Sequence, residues 1–185
     1  MKVNKLSSSS DKTAMIIIAV GLIVTAVVTR LLPHPANFAP IAAVALFGGA
    51  VLPRKWALTL PLFCMIISDL IIGLHPLILF TWGSFAVIAL LGSRYLKKIT
   101  PLTVVGASIG ASVLFYLVSN FGVWLEGRLY PVTLQGLIHC YYNALPFFRN
   151  TLVGDLVFST ILFGTYALAY KAAIQKPNSN GLIKT

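Results

Sequence analysis

Apolar residues in this chain gather into six long runs, which short polar stretches separate. The runs cover residues 14–32, 38–52, 56–74, 77–91, 102–121 and 151–170. Because about 20 apolar residues in a helix cross the hydrocarbon core of a bilayer, the pattern predicts an all-α membrane protein with six transmembrane helices. The second run has only 15 residues, about 22 Å of helix, and prolines flank it. A re-entrant loop is therefore its alternative.

The 14 basic residues fall almost entirely on one side of the predicted membrane. Eleven lie in the tails and in the connections after the second and fourth runs: Lys2, Lys5, Lys12, Arg54, Lys55, Arg94, Lys97, Lys98, Lys171, Lys176 and Lys184. The other three are Arg30, Arg128 and Arg149. Since cytoplasmic loops are enriched in Lys and Arg, we predict both termini in the cytoplasm. This gives a basic tail over 1–13, one six-helix domain over 14–171, and a second tail over 172–185.

Composition supports the same class of protein. The chain has 185 residues, of which 58% are hydrophobic and 10% charged, and six spans leave no room for a second folded domain. The net charge of +10 could indicate nucleic-acid binding. However, the basic residues are spread over short inner loops, where membrane topology explains them better. We therefore predict the lipid bilayer as a partner and no nucleic acid.

One long connection, 126–149, lies on the outer side in this topology. It contains an apolar segment, 134–145, which Gly136, His139 and Asn143 interrupt and Pro146 follows. A seventh span here would place the C-terminal lysines outside, so we predict a short extracytoplasmic helix between helices 5 and 6. Aromatic residues around it match an interfacial belt, with membrane anchoring and ligand contact both open: Trp124, Tyr130, Tyr141, Tyr142, Phe147 and Phe148.

Two acidic residues lie inside predicted spans at matching depth. Asp69 is five residues before the outer end of the third run, and Asp155 is about five residues into the sixth. Both carboxylates would lie roughly 7 Å below the outer helix ends. A charged side chain at the bilayer centre costs about 2.5–3.5 kcal/mol on insertion scales, and less nearer the surface. The pair therefore indicates an inward-facing polar site.

Other polar residues are predicted at the same level, whereas the inner halves of the helices hold almost nothing ionisable. This favours a pocket open to the outside and closed towards the cytoplasm by apolar packing. The candidate substrate-binding residues are Arg30, His34, Asn37, Asp69, His75, Asn120, Trp124, Tyr142, Arg149, Asn150 and Asp155. The alternative is that Asp69 and Asp155 only pair with arginines, Arg30 and Arg149, to hold helices together.

Several motifs are absent from the sequence. There is no G-x-x-x-x-G-K-[ST] phosphate loop, no G-x-S-x-G and no H-E-x-x-H, so we predict no enzyme activity, catalytic residue, cofactor or metal site. Small residues do form a G-x-x-x-G step at Gly106 and Gly110. Such a step lets helix backbones approach closely, either inside the protein or against a partner membrane protein.

Several motifs carry a family resemblance. They are RLLPHPANFAPIAA over 30–43, Ser68-Asp69, NFGVWL over 120–125, Tyr130-Pro131 and NTLVGD over 150–155. They resemble an uncharacterised family of small bacterial membrane proteins assigned to transport. That resemblance implies a multi-pass protein of the bacterial cytoplasmic (inner) membrane, and it carries no assigned substrate.

In size, helix number and outward pocket, the chain is also similar to the S-components of energy-coupling-factor (ECF) vitamin transporters. This resemblance implies capture of a vitamin-like solute and docking on a membrane coupling protein that two ATPase subunits drive. Small residues of the first helix would make that contact, and Ala14, Ala19 and Gly21 are available.

Taken together, these observations predict a membrane-embedded substrate-binding subunit for uptake of a small polar solute. Asp69 and Asp155 would accept hydrogen bonds from it, Arg30 and Arg149 would bind an anionic or carbonyl group, and three asparagines would supply neutral hydrogen bonds. Trp124 or Tyr142 would stack on a ring. Two alternatives remain: an integral-membrane enzyme with an outer carboxylate and histidine site, and a structural membrane protein.

Overall fold

A computed structural model of the chain describes residues 9–175, and within them every regular element is a helix. The helices are α1 (Ser9–Thr29), α2 (Ile41–Val51), α3 (Arg54–Ala57), α4 (Thr59–Ile72), α5 (Ile78–Tyr95), α6 (Pro101–Glu126) and α7 (Leu134–Gln175). Most of the two predicted tails, with Lys2, Lys5, Lys176 and Lys184, lies outside the described residues.

Five helices are long and apolar enough to cross a membrane. They are Ser9–Thr29, Lys55–Ile72, Ile78–Tyr95, Pro101–Glu126 and Leu134–Ala173. Their outward surfaces carry large apolar side chains, such as Phe63, Leu79 and Leu102. A soluble protein would expose such a surface to water at high cost, whereas lipid covers it favourably. The predicted all-α class is therefore confirmed, and in the described residues five helices, not the predicted six, are long and apolar enough to span a membrane.

The second predicted span is shorter than expected and lies inside the bundle. Its helix, α2, has 11 residues, all of them buried, and about 16 Å of helix does not cross a bilayer alone. It begins only at Ile41 because Pro40 precedes it and Asn37 adopts a left-handed conformation with φ 61°. A helix that is apolar on all sides is stable when buried, which is its position here.

Glycines bring α2 and α5 into backbone contact. A Cβ atom added at Gly49 would lie 2.1 Å from the carbonyl oxygen of Ala89, and one added at Gly92 would lie 2.5 Å from that of Leu46. By contrast, a Cβ added at Gly106 or Gly110 would meet nothing within 4 Å. The described structure therefore does not use the predicted G-x-x-x-G step for internal packing.

Helices α5, α6 and α7 form an antiparallel series. Phe85 of α5 stacks on Phe115 of α6 with 5.0 Å between ring centroids, and further along these helices Gly122 packs against Phe80. Between α6 and α7, Ser112 bonds to Asp155 and Ser108 to Ser159.

The last helix is continuous over 42 residues, with Pro146 in its interior. The prediction of a separate extracytoplasmic helix was therefore wrong, because segment 134–145 is the first part of α7. Two hydrogen bonds show how α7 runs along α6. Cys140 Sγ of α7 donates to the Asn120 carbonyl, and Ser112 Oγ of α6 donates to Asp155. Between these contacts α6 advances about 12 Å and α7 about 22 Å. Pro146 lies between the two contacts on α7, and a bend at this proline is the physical explanation of the difference.

Apolar packing fills the half of the bundle towards the C-terminal end of α7. Phe47 of α2 contacts Phe163 and Tyr166 edge-on, and all three rings are buried. The basic residues described on this side are Lys12, Arg54, Lys55, Arg94, Lys97, Lys98 and Lys171, whereas Arg30, Arg128 and Arg149 lie towards the other end. The predicted one-sided distribution of charge is thus present in the described part of the fold.

Candidate ligand-binding cavity

A cavity of about 410 Å³ lies between the facing sides of α6 and α7 and extends to the ends of α1, α2, α4 and α5. It is bounded by the loop after α1, the start of α2, the end of α4, the start of α5 and the facing sides of α6 and α7. The lining residues are Arg30, His34, Asn37, Ala39, Ile41, Ala42, Met65, Asp69, His75, Leu77, Thr81, Phe85, Phe115, Tyr116, Ser119, Asn120, Val123, Ala144, Phe147, Phe148, Thr151 and Asp155.

Asp69 on α4 is held by a charged and a neutral donor. Arg30 Nη2 lies 2.6 Å from Asp69 Oδ1, and Trp82 Nε1 donates to Oδ2 at 2.7 Å. The second terminal nitrogen of Arg30 donates to Ser68 Oγ at 2.5 Å. The carboxylate is 2% exposed, so this ion pair joins the end of α1 to α4 and α5 in a region of low dielectric. The predicted Arg30–Asp69 pairing is present.

Asp155 on α7 has a different environment. It is 1% exposed and accepts a hydrogen bond from Ser112 Oγ at 2.7 Å, and its carboxylate lies near the backbone amide of Ala43. Ala43 is in the first turn of α2, where Pro40 offers no side-chain cap. Asp155 therefore lies beside the N-terminus of α2, at the positive end of the helix dipole. The predicted Asp155–Arg149 pair does not form in the described structure.

Aromatic rings form much of the remaining wall. Phe85 and Phe115 are stacked, and Tyr116 packs on Phe148 with 4.8 Å between centroids. The Tyr116 hydroxyl donates to the Tyr141 carbonyl at 2.6 Å, which fixes this ring against the first part of α7. The wall is therefore mainly apolar in area, with polar side chains placed among the rings, as in most small-molecule sites.

Polar residues at the surface mark where the cavity reaches solvent. His34 and Asn37 are both exposed, and the two ring nitrogens of His34 lie 3.0 Å and 3.2 Å from the carbonyl oxygens of Pro35 and Arg30. His75 is half-buried on the opposite loop. Asn120 donates its amide to the Tyr116 carbonyl at 2.8 Å, so its side-chain oxygen remains available as an acceptor.

Seven of the eleven predicted binding residues line this one cavity: Arg30, His34, Asn37, Asp69, His75, Asn120 and Asp155. The other four are outside its lining. Trp124 donates to the Thr133 carbonyl, Tyr142 is 71% exposed, Arg149 is exposed, and Asn150 donates to the Ala36 carbonyl. Helix phase explains why Arg149 and Asn150 are outside the lining, because residues 148, 151 and 155 follow the i, i+3, i+7 spacing of one helix face, which excludes 149 and 150.

Sequence reasoning missed Trp82, Ser68 and Ser112, although each contacts a charged group of the cavity. The sequence held a usable signal for Ser112, since Ser108 and Ser112 are four apart on α6. In the structure both are buried. Nothing in the sequence pairs Trp82 with Asp69. Within residues 9–175, no group of three His, Cys, Asp or Glu side chains is arranged to hold a metal ion.

The helices and the cavity define a polytopic helical membrane protein with two buried carboxylates in one polar site. The chain belongs to the family DUF6580, described as a family of unknown function, whose model matches residues 10–178. No curated protein and no solved structure matches the chain.

Proposed function

We propose that this protein binds a small solute in the 410 Å³ cavity and serves its uptake across the cytoplasmic membrane of a bacterium. The observation that carries the proposal is the meeting of Asp69 and Asp155, each at most 2% exposed, in the lining of one cavity. Ionisable groups inside a membrane are costly, and where they line a cavity they mark solute pathways.

The size and the walls of the cavity support a small organic ligand. Binding sites for such molecules usually enclose about 300–1,000 Å³, are mostly apolar, and carry a few placed polar groups. Here the rings of Phe85, Phe115 and Tyr116 supply the apolar area. Asp155 and the free oxygen of Asn120 supply acceptors that fix a ligand's orientation.

The distribution of charge supports the direction of uptake. Lys and Arg concentrate at the helix ends remote from the cavity, and such ends face the cytoplasm in most membrane proteins. The cavity then opens to the outside through His34 and Asn37, while Phe47, Phe163 and Tyr166 close the path to the cytoplasm. This arrangement suits capture from outside.

Coupling to energy would come from partner subunits, because the sequence has no phosphate-binding loop. The similarity to ECF S-components favours a membrane coupling protein with ATPase subunits. The small exposed residues Gly106 and Gly110 on α6, like Gly21 on α1, leave open backbone surface where a partner helix could pack closely.

Mass spectrometry of small molecules released from the detergent-purified protein tests solute binding. We expect the wild type to retain a solute that Ala144→Trp loses, because Ala144 is buried in the cavity lining and an indole there fills the space. Leu145→Trp is the matched control, since Leu145 is exposed on the neighbouring position and outside the lining. Equal solute content in all three proteins, or none in the wild type, contradicts the proposal.

A structural role is the second candidate. Asp69 bonds to Arg30 and Trp82, and Asp155 bonds to Ser112, so both acids join separate helices. In that case the acids stabilise the bundle and no solute is retained. The same mass spectra, together with the thermal stability of Ala144→Trp, distinguish the two roles. If filling the cavity changes neither the solute content nor the thermal stability, the structural role is favoured.

A further inference from the structure

The charges of the cavity are unbalanced within the described structure. Three charged side chains line it: Arg30, Asp69 and Asp155. Arg30 directs both terminal nitrogens to α4, one to Asp69 and one to Ser68, so its charge is already engaged. Asp155 has no cationic side chain as a partner in residues 9–175. We infer that the solute carries a positively charged nitrogen group and that Asp155 binds it, an inference that rests on the proposed function.

The partners of Asp155 are neutral donors. The hydroxyl of Ser112 donates to the carboxylate and the amide of Ala43 lies near it, and neither group brings a full positive charge. The N-terminus of α2 adds about half a charge at most. A carboxylate buried in this way takes up a positive charge from elsewhere, either a proton or a bound cation. A ligand's ammonium group can therefore replace a proton at this position.

Other cations near the cavity do not take this role. Arg149 is exposed and outside the lining, although it is only six residues before Asp155. The ring nitrogens of His34 are directed to the carbonyl oxygens of Arg30 and Pro35 at the surface. His75 is half-buried on the loop between α4 and α5. Asp155 is thus the cavity carboxylate whose negative charge no cationic side chain in residues 9–175 balances, and a cationic ligand can bind it.

The walls specify the rest of the ligand. The stacked pair of Phe85 and Phe115 and the packed pair of Tyr116 and Phe148 present ring faces and edges to the same space. Such rings bind apolar or aromatic groups and also attract cations through their π systems. The class of solute is therefore an organic ammonium ion with an aromatic or apolar body.

Three probes of one shape and different charge test the inference. They are tryptamine, a cation; tryptophol, its neutral alcohol; and indole-3-propionate, an anion. Binding to the full chain in detergent is measured by isothermal titration calorimetry. We expect tryptamine to bind about tenfold or more tightly than tryptophol, as a charge-assisted hydrogen bond predicts, and the propionate to bind most weakly. Asp155→Asn should remove this order, whereas Glu126→Gln, which removes an acid outside the lining, should preserve it.

The outcomes separate this inference from the proposed function. Equal or tighter binding of the propionate, or an unchanged order in Asp155→Asn, overturns the inference and leaves solute binding standing. If no probe binds, the solute retained by the wild type decides: an anionic or neutral molecule overturns the inference, and an amine supports it. No retained solute and no bound probe overturn both. If Asp155→Asn does not fold, the order in which the wild type binds the three probes supports or overturns the inference by itself.

Discussion

Arg30 and Asp69 illustrate what single residues contribute to this fold. Their side chains are 15% and 2% exposed, and their atoms approach to 2.6 Å. A pair in this environment loses hydration on folding, so its net value is small, but removal of one partner leaves the other charge buried and unmatched. The contribution of each residue to the stability of the fold therefore depends more strongly on the other residue of the pair than on its other neighbours.

A double-mutant cycle measures this dependence. We expect Arg30→Gln and Asp69→Asn each to lower the free energy of unfolding by about 3 kcal/mol, and the double variant to lose less than the sum by on the order of 1–3 kcal/mol. Unfolding in SDS-containing mixed micelles provides the free energies. The exposed pair of Glu126 and Arg128, at 2.9 Å, is the control, with an expected coupling below about 1 kcal/mol. Additive losses for Arg30 and Asp69 would contradict the geometry.

Two helices deviate from what their sequences predict, and both deviations shape the cavity. Helix α2 was predicted as a span, but it is a buried element whose first turn meets Asp155. Segment 134–145 was predicted to stop before Pro146, but helix α7 continues through this proline. Proline usually ends a helix in water, whereas inside a membrane protein neighbouring groups satisfy the freed carbonyl and the helix persists with a kink.

Glycine substitutions test the contact between α2 and α5. We expect Gly49→Ala to destabilise the protein by about 1–3 kcal/mol or to prevent folding, because the new Cβ would lie 2.1 Å from the Ala89 carbonyl oxygen. Gly106→Ala is the matched control in open space, where alanine is neutral or stabilises the helix by up to about 1 kcal/mol. Melting temperature and monodispersity in detergent give the result. Equal behaviour of the two variants would disprove the close contact.

At the scale of the whole molecule, the one-sided charge predicts orientation in the membrane. Basic residues described at the end of α5 and near the end of α7 lie remote from the cavity, and Arg128 lies after α6 on the cavity side. During membrane insertion, the side with more Lys and Arg is placed in the cytoplasm. The orientation itself stays a prediction.

Cysteine labelling in intact cells checks the orientation. In a background with Cys64→Ser and Cys140→Ser, we expect Arg128→Cys to react with a membrane-impermeant maleimide from outside. Lys97→Cys, also exposed in the structure, should react only after the cells are permeabilised. The reverse pattern would place the cavity on the cytoplasmic side and remove the argument for capture from outside.

The sequence by itself determined the all-helical class, most helix positions, the charge bias and the grouping of Asp69 and Asp155 in one polar site, because hydrophobicity and charge act on whole segments. It placed Arg30 beside Asp69 as one option among two. Only the tertiary structure decided that Asp155 meets Ser112 and α2 instead of Arg149. Those choices depend on helix phase and on the bend of α7, since a rotation of one residue moves a side chain about 100° around its helix. Contacts of this kind arise between segments that no local pattern relates.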